Sequence, residues 1–366
     1  MRTPSRPARR AALAATTVLT LTGLLAGCAD EGGSTASGGG GAADPNQASV
    51  AFLMPDLAST RYELYDAPLF TEKMGELCPD CTVIYQNADS SAATQQEQAN
   101  SALAQGASAI VLDPVDSAAA ATIVQTAQSQ GVPVIAYDRP IPDRAADFYV
   151  SFDNEAIGAS IAESLVEYLD AEGIQGGLLQ VNGSPTDAAA GLIKDGATSA
   201  VESSDFEVLA EYDTPDWTPS RAQDWVSGQV SKYGDEIAGV VAANDGTGGG
   251  AIAAFKAAGA PVPPVTGNDF ELAAAQRIAA GDQYNTISKP IKTVAEAAAD
   301  VAWAFVNGEE PEADTTLFDT PSQLFEPTVV TQDNLAEVLG GADAPFTVED
   351  VCTAEYRADC EKLGLL

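Results

Sequence analysis

From residue 48 the chain alternates between short unbroken apolar runs and longer stretches in which apolar positions recur every three or four residues. The runs 48–55 (ASVAFLMP), 82–88 (TVIYQNA), 109–114 (AIVLDP), 133–139 (PVIAYDR) and 148–154 (FYVSFDN) have the length of strands. Between them lie helix-length segments rich in Ala and Gln, 91–105 and 117–130. The segment 154–169 carries Ile157, Ile161, Leu165 and Leu169 at a spacing of four, one apolar stripe along a helix. A second series of strand-like runs follows at 177–183, 206–213, 237–245, 263–269 and 284–290, again separated by helical stretches. Apolar strands alternating with helices predict an α/β protein with parallel sheets covered on both faces. Two series predict two lobes.

The runs end on polar residues: Asp113, Asp138-Arg139, Asp153-Asn154, Asn244-Asp245, Asn268-Asp269 and Lys289. In open parallel sheets ligands bind beyond the carboxyl ends of the strands, so these residues are expected along a cleft. An Asp or Asn after a strand can instead cap the next helix, and that is the expectation for Asp113, which precedes Pro114 and a loop. Capping does not explain Arg139.

Composition sharpens this point. The chain has 366 residues, 17 basic against 53 acidic, and no histidine. Such acidity excludes a nucleic-acid surface built on phosphate neutralisation, and the lack of imidazole excludes a Ser-His triad or His-ligated metal. Two of the few cations, Arg139 and Lys289, stand at strand ends. Their alternative role is a structural salt bridge.

The first residues read as an export signal. Arg2, Arg6, Arg9 and Arg10 precede a small, apolar segment ending Leu25-Ala26-Gly27-Cys28. That ending resembles a bacterial lipobox, which implies cleavage before Cys28, lipidation of Cys28 and membrane anchoring through it; an ordinary signal peptide is the alternative. Cleavage removes four arginines and leaves 13 basic residues. The Gly/Ser/Ala-rich stretch to residue 49 is expected to be a flexible tether. Cys78, Cys81, Cys352 and Cys360 form an even set, expected as disulfides in an exported protein. Three pairings are open, and the local ones, each closing a short loop, are favoured over a redox or zinc site.

Asp, Asn and Arg offer planar, forked groups that can each grip two neighbouring hydroxyls. A sugar's C–H face also lies well on an aromatic ring. Trp217, in DTPDWTPSRA, and Tyr62, beside Arg61, are the candidates for that ring.

AYDRPI with DFYVSFDNEAIG, then VNGSPTDAAA, VVAANDGTGGGAI, TGNDFELAAAQRIAAG, SKPI and TPSQLFEP, in this order from about 50 to 327, resemble the type I periplasmic sugar-binding proteins of ABC importers, and among them the D-xylose-binding members. The resemblance implies two Rossmann-like lobes with parallel sheets joined by hinge strands, and a sugar enclosed between them. It places sugar contacts on Arg61, Arg139, Trp217, Asn244, Asp269 and Lys289. Tyr62 falls where the family has an aromatic, usually Trp. Asp138 is expected to orient Arg139. Asp187 ends the GSPTD motif, after which Ala188-Ala189-Ala190 stand where the D-xylose pattern has asparagines.

The implied organisation is a signal over 1–27, a tether over 28–49, a first lobe over 50–152 plus about 287–318, a second lobe over 153–286 plus about 319–345, and a tail over 346–366. The implied function is capture of a monosaccharide, expected to be D-xylose, for a membrane ABC permease by an exported, lipid-anchored monomer with no cofactor, no metal and no catalytic residue. The alternatives are a sugar sensor feeding a receptor, a glycoside-acting enzyme, and a dinucleotide-binding protein suggested by Gly-x-Gly-x-x-Ala over 246–251.

Overall fold

A computed structural model of the chain describes residues 45–366 apart from 58, 342 and 343. The expected signal, Cys28 and most of the tether lie outside the described residues. The tether's expected end does not extend to 49: Pro45–Gln47 form one turn and Ser49 already begins the first strand.

The first series folds as β1 (Ser49–Met54), α1 (Ala67–Leu77), β2 (Thr82–Asn87), α2 (Ala92–Ala104), β3 (Ala109–Leu112), α3 (Ala120–Ser129), β4 (Val134–Tyr137) and β5 (Phe148–Phe152). Their order in the sheet is β5-β4-β3-β1-β2, all parallel. Apolar residues alternate to the two faces. Phe52 stacks on Phe70 of α1 with ring centroids 4.2 Å apart, and Ala51, Leu53 and Ile110 pack towards α2 and α3.

The second lobe comprises α4 (Asn154–Glu172), β6 (Gly177–Asn182), α5 (Ala188–Glu202), β7 (Val208–Asp213), α6 (Pro219–Tyr233), β8 (Ile237–Ala242), α7 (Asp245–Ala258) and α8 (Leu272–Ala280). Its sheet is β7-β6-β8, parallel. The stripe Ile157, Ile161, Leu165, Leu169 of α4 is fully buried, as its spacing requires. Asp153 caps the start of α4 and Gly173, at φ 66°, its end.

Four expectations are corrected. The run 263–269 is no strand beyond a bridge from Val265 to Val240. Pro263 and Pro264 have no N–H to give a ladder, and the Thr266 hydroxyl takes its place by bonding both N–H and C=O of Ala242 (2.8 and 2.9 Å). The run 284–290 yields only β9 (Thr286–Ser288), which stays out of the parallel sheet. After α9 (Ile291–Val306) come β10 (Thr315–Leu317), β11 (Thr320–Phe325) and β12 (Thr328–Val330); β9 pairs antiparallel with β12. Third, β11 does not belong to the second lobe, as a boundary at about 319 implied. It pairs parallel with β5, and β10 pairs antiparallel at the edge, so the first sheet has seven strands. The chain crosses between lobes after β5, after β9 and after β11. Fourth, 346–366 is no separate tail: Phe346, Val351 and Cys360 are buried with Phe270 and Ile278 beside α8.

The local disulfides are present, Cys78–Cys81 and Cys352–Cys360. Among the described residues no helix is long and apolar enough to cross a membrane.

Candidate functional site

The carboxyl ends of both parallel sheets face one cavity. Its empty volume is about 380 Å³, including the part open to solvent. Arg61, Tyr62, Asp138 and Arg139 line it from the first lobe, and Asp187, Trp217, Asn244 and Asp269 from the second; Lys289 lines it from the crossing after β9. All nine residues singled out from the sequence therefore meet at one place.

The Asp138-Arg139 turn explains why a buried strand runs into two charges. Asp138 takes φ 60°, an uncommon conformation for a residue with a Cβ. Its carbonyl accepts hydrogen bonds from the hydroxyls of Tyr149 and Ser151, both 2.8 Å. The turn directs consecutive side chains into the cavity. Asp138 does not bond Arg139 directly but is linked to it through the Tyr62 hydroxyl, which accepts from Arg139 Nη2 (3.2 Å). The Asp138 carboxylate accepts from Arg61 Nη1 (3.2 Å) and the Tyr62 hydroxyl (3.3 Å). Burial alone would raise its pKa, but Arg61, then Lys289 and Arg139, outweigh burial and hold it at about 2.

Arg139 is held instead by acids from three loops. Nη2 donates to Asp56 (2.9 Å), and Nε lies 3.1 Å from Asp187 and 3.4 Å from Asp113. Asp113 is not the expected helix cap. The following helix, α3, has no side-chain cap; Asp116 closes the turn before it by accepting from the Ala119 N–H (2.8 Å). The Asp113 carboxylate is fully buried with no hydrogen-bond donor, so burial pushes its pKa well up while Arg139 pulls it down.

Arg61 forks onto Asp66 through Nε (3.1 Å) and Nη2 (2.8 Å). It stands at the start of Tyr62–Asp66, a turn widened to an i→i+5 bond from the Ala67 N–H to the Tyr62 carbonyl. Such widened turns recur at functional sites because they re-aim side chains. Tyr62 is buried, which raises its pKa well above the usual phenol value and keeps it a neutral hydroxyl.

In the second lobe Asp187 caps α5 through the Ala189 N–H (2.8 Å) and accepts from Trp217 Nε1 (2.9 Å). The indole lies against Gly183, where a Cβ would come within 2.1 Å of the ring. Trp217 is thus both largely buried and cavity-lining. Asn244 caps α7 through the Thr247 N–H (2.8 Å) while lining the cavity. Asp269, at φ 100°, meets Lys289 Nζ at 2.6 Å.

The glycines at 246–251 have a packing role. A Cβ at Gly248 would meet the Thr266 carbonyl at 2.6 Å, and one at Gly250 the Pro219 carbonyl at 2.4 Å. The first turn of α7 is closed by Asn244 and Thr247, and the buried Asp245 carboxylate accepts from the Glu271 N–H. That leaves no phosphate cradle of the dinucleotide kind.

Asn154 and Asn268, expected along the cleft as strand-end residues but not as ligand contacts, also line the cavity, as does Ala189, which stands where the D-xylose pattern has an asparagine. The sequence reading missed Ser59 and Ile193, which carry no signal of their own. Asn268 Oδ1 is buried without a donor, beside the cavity.

Residues 50–310 match the periplasmic binding protein domain. The chain belongs to that family. The binding protein is 34% identical over 307 residues to the D-xylose-binding periplasmic protein of Escherichia coli, covering 81% of this chain and 91% of that one. It is 29% identical over 280 residues to a multiple sugar-binding periplasmic receptor of Rhizobium radiobacter, covering 69% and 79%. Among solved structures it resembles an ABC-transporter solute-binding protein from Clostridium phytofermentans with bound β-D-glucose, with TM-score 0.74, 26% identity and coverage of 83% and 99%. The resemblance to sugar-binding proteins of ABC importers and the type I fold are thereby borne out.

Proposed function

We propose that the binding protein captures a neutral monosaccharide, D-xylose foremost, between its lobes and presents it to an ABC permease while anchored through a lipidated Cys28. One observation carries the ligand class. Six acidic side chains surround three cations in two groups, Asp66, Asp138 and Asp269 about Arg61 and Lys289, and Asp56, Asp113 and Asp187 about Arg139, joined through the Tyr62 hydroxyl. A sugar acid or sugar phosphate would add charge of the sign already in excess, whereas a hydroxylated ring can both donate to the carboxylates and accept from the guanidinium forks. The Trp217 indole adds an apolar face. D-xylose is favoured by the D-xylose-binding relatives. Ala189 removes an amide from the lining, so a hexose is expected to be tolerated with lower discrimination.

Because the lining side chains come from both lobes, a ring is held among them only when the lobes close over it, and the three crossings supply the hinge. Calorimetry of the exported chain against D-xylose, D-glucose, D-ribose, L-arabinose, D-xylonate and D-xylose 5-phosphate tests the ligand class. D-xylose binds best and both anions fail to bind. Binding of an anion in preference to every neutral sugar, or of no sugar at all, overturns the proposal.

A further inference from the structure

Ser117 lies in the loop after β3, in the first lobe, and is buried although it does not line the cavity. Its N–H and its hydroxyl both reach across the cleft. The Ser117 N–H donates to the Thr186 carbonyl (3.0 Å), and its hydroxyl oxygen accepts from the Ala188 N–H (3.1 Å). Thr186 and Ala188 flank Asp187, the residue that caps α5 and meets Arg139. The first N–H groups of a helix have no partner within it. Asp187 satisfies the Ala189 N–H from its own lobe, but the Ala188 N–H finds its acceptor on the opposite lobe.

We propose that Ser117 is a positioning residue for closure: the first lobe completes the cap of α5 when the lobes meet, and so sets Asp187 against Arg139. The proposal deepens the interlobe-capture reading above and rests on it for the sugar arm of its test. When the lobes part, both hydrogen bonds break together and water takes the Ala188 N–H. The Ser117 contacts therefore weigh on the open–closed balance and not on any hydroxyl of the ligand. Apparent affinity scales with the fraction of protein able to adopt the binding form, so their loss lowers affinity for every ligand by one common factor. A residue that touches the sugar would lower it unequally.

Ser117→Ala removes the hydroxyl acceptor and keeps the backbone donor; Ser117→Thr keeps both. One lost hydrogen bond of ordinary strength corresponds to roughly a three- to tenfold change. Hydrogen exchange of the unliganded protein should accelerate by about that factor in peptides spanning 184–190 for Ser117→Ala, with the remainder of α5 unchanged and with Ser117→Thr close to wild type. Affinities for all sugars that the wild type binds should fall by the same factor. Unchanged exchange at 184–190 overturns the proposal, and so does a loss confined to some sugars or equally deep in Ser117→Thr. If the wild type binds no sugar, the capture reading fails, while the exchange arm still decides whether Ser117 caps α5.

Discussion

Arg139→Ala separates the two roles that the structure gives this side chain. The guanidinium faces Asp56, Asp113 and Asp187 within 3.4 Å, and Asp113 has no hydrogen-bond donor. Removing the cation leaves buried carboxylates uncompensated, a change that destabilises by about 3–5 kcal/mol. For a domain of this size that corresponds to a fall in melting midpoint of roughly 6–20 °C. Binding loses charge-assisted hydrogen bonds worth about 1.5–3 kcal/mol each; two of them amount to roughly two to four decades in Kd. Adding Asp113→Asn discriminates between the roles, because it replaces a fully buried acid whose oxygens lack a hydrogen-bond donor without touching the cavity lining. The double variant should regain much of the melting midpoint and little of the affinity for D-xylose, read by calorimetry and differential scanning. Arg139→Lys should not rescue binding, since an ammonium lacks the fork. Two outcomes would refute the reasoning: Arg139→Ala binding D-xylose as tightly as wild type, or the double variant recovering affinity together with stability. Either would make Arg139 a purely structural residue.

Gly183→Ala places a Cβ within 2.1 Å of the Trp217 ring. It should push the indole out of line and weaken sugar binding by roughly five- to a hundredfold, the equivalent of about 1–3 kcal/mol of overpacking strain; unchanged affinity with unchanged tryptophan emission would show that the indole position is immaterial. Stability should fall as pH rises from about 5 to 8. Burial, with the charge of Asp269, raises Asp245 to about 7, and burial, with the charges of Asp245 and Asp269, raises the half-buried Glu271 to about 8, so across that window the folded chain keeps protons that the unfolded chain has given up. Asp138, held at about 2, acts in the opposite sense and its contribution is lost only as pH falls towards that value. Melting in about 0.5 M salt, which screens surface repulsion but not these buried groups, should preserve the slope. A midpoint that climbs from pH 5 to 8 contradicts it.

Local pattern determined a large part of this protein. Runs of apolar residues and their punctuation predicted β1 to β5 and β6 to β8, though not that 263–269 and 284–290 stay out of the parallel sheets, and the four-residue stripe predicted α4 and its buried face, because burial demands those periods wherever the element sits. Strand ends in a parallel sheet share one edge, so Asp138, Arg139 and Asn244 could be gathered at a cleft from order along the chain alone; Asp269 and Lys289 reach the same cleft from runs that form no strand of either parallel sheet. Trp217 was singled out by its polar loop and its ring, whereas Arg61 and Asp187 needed the family resemblance, being in loops with no period. Tertiary structure decided the partnerships. Asp138 serves Arg61 and Arg139 is held by Asp56, Asp113 and Asp187, since residues up to 83 positions apart meet at the shared edge. It also decided that β11 returns to the first sheet and that 346–366 packs beside α8, because a short strand or an apolar tail is compatible with either lobe until an open sheet edge or an uncovered apolar face selects it. Spacing along the chain constrains which face a residue occupies; which charge it will face is settled only when distant loops come within a few ångströms, where Coulomb and desolvation terms become large.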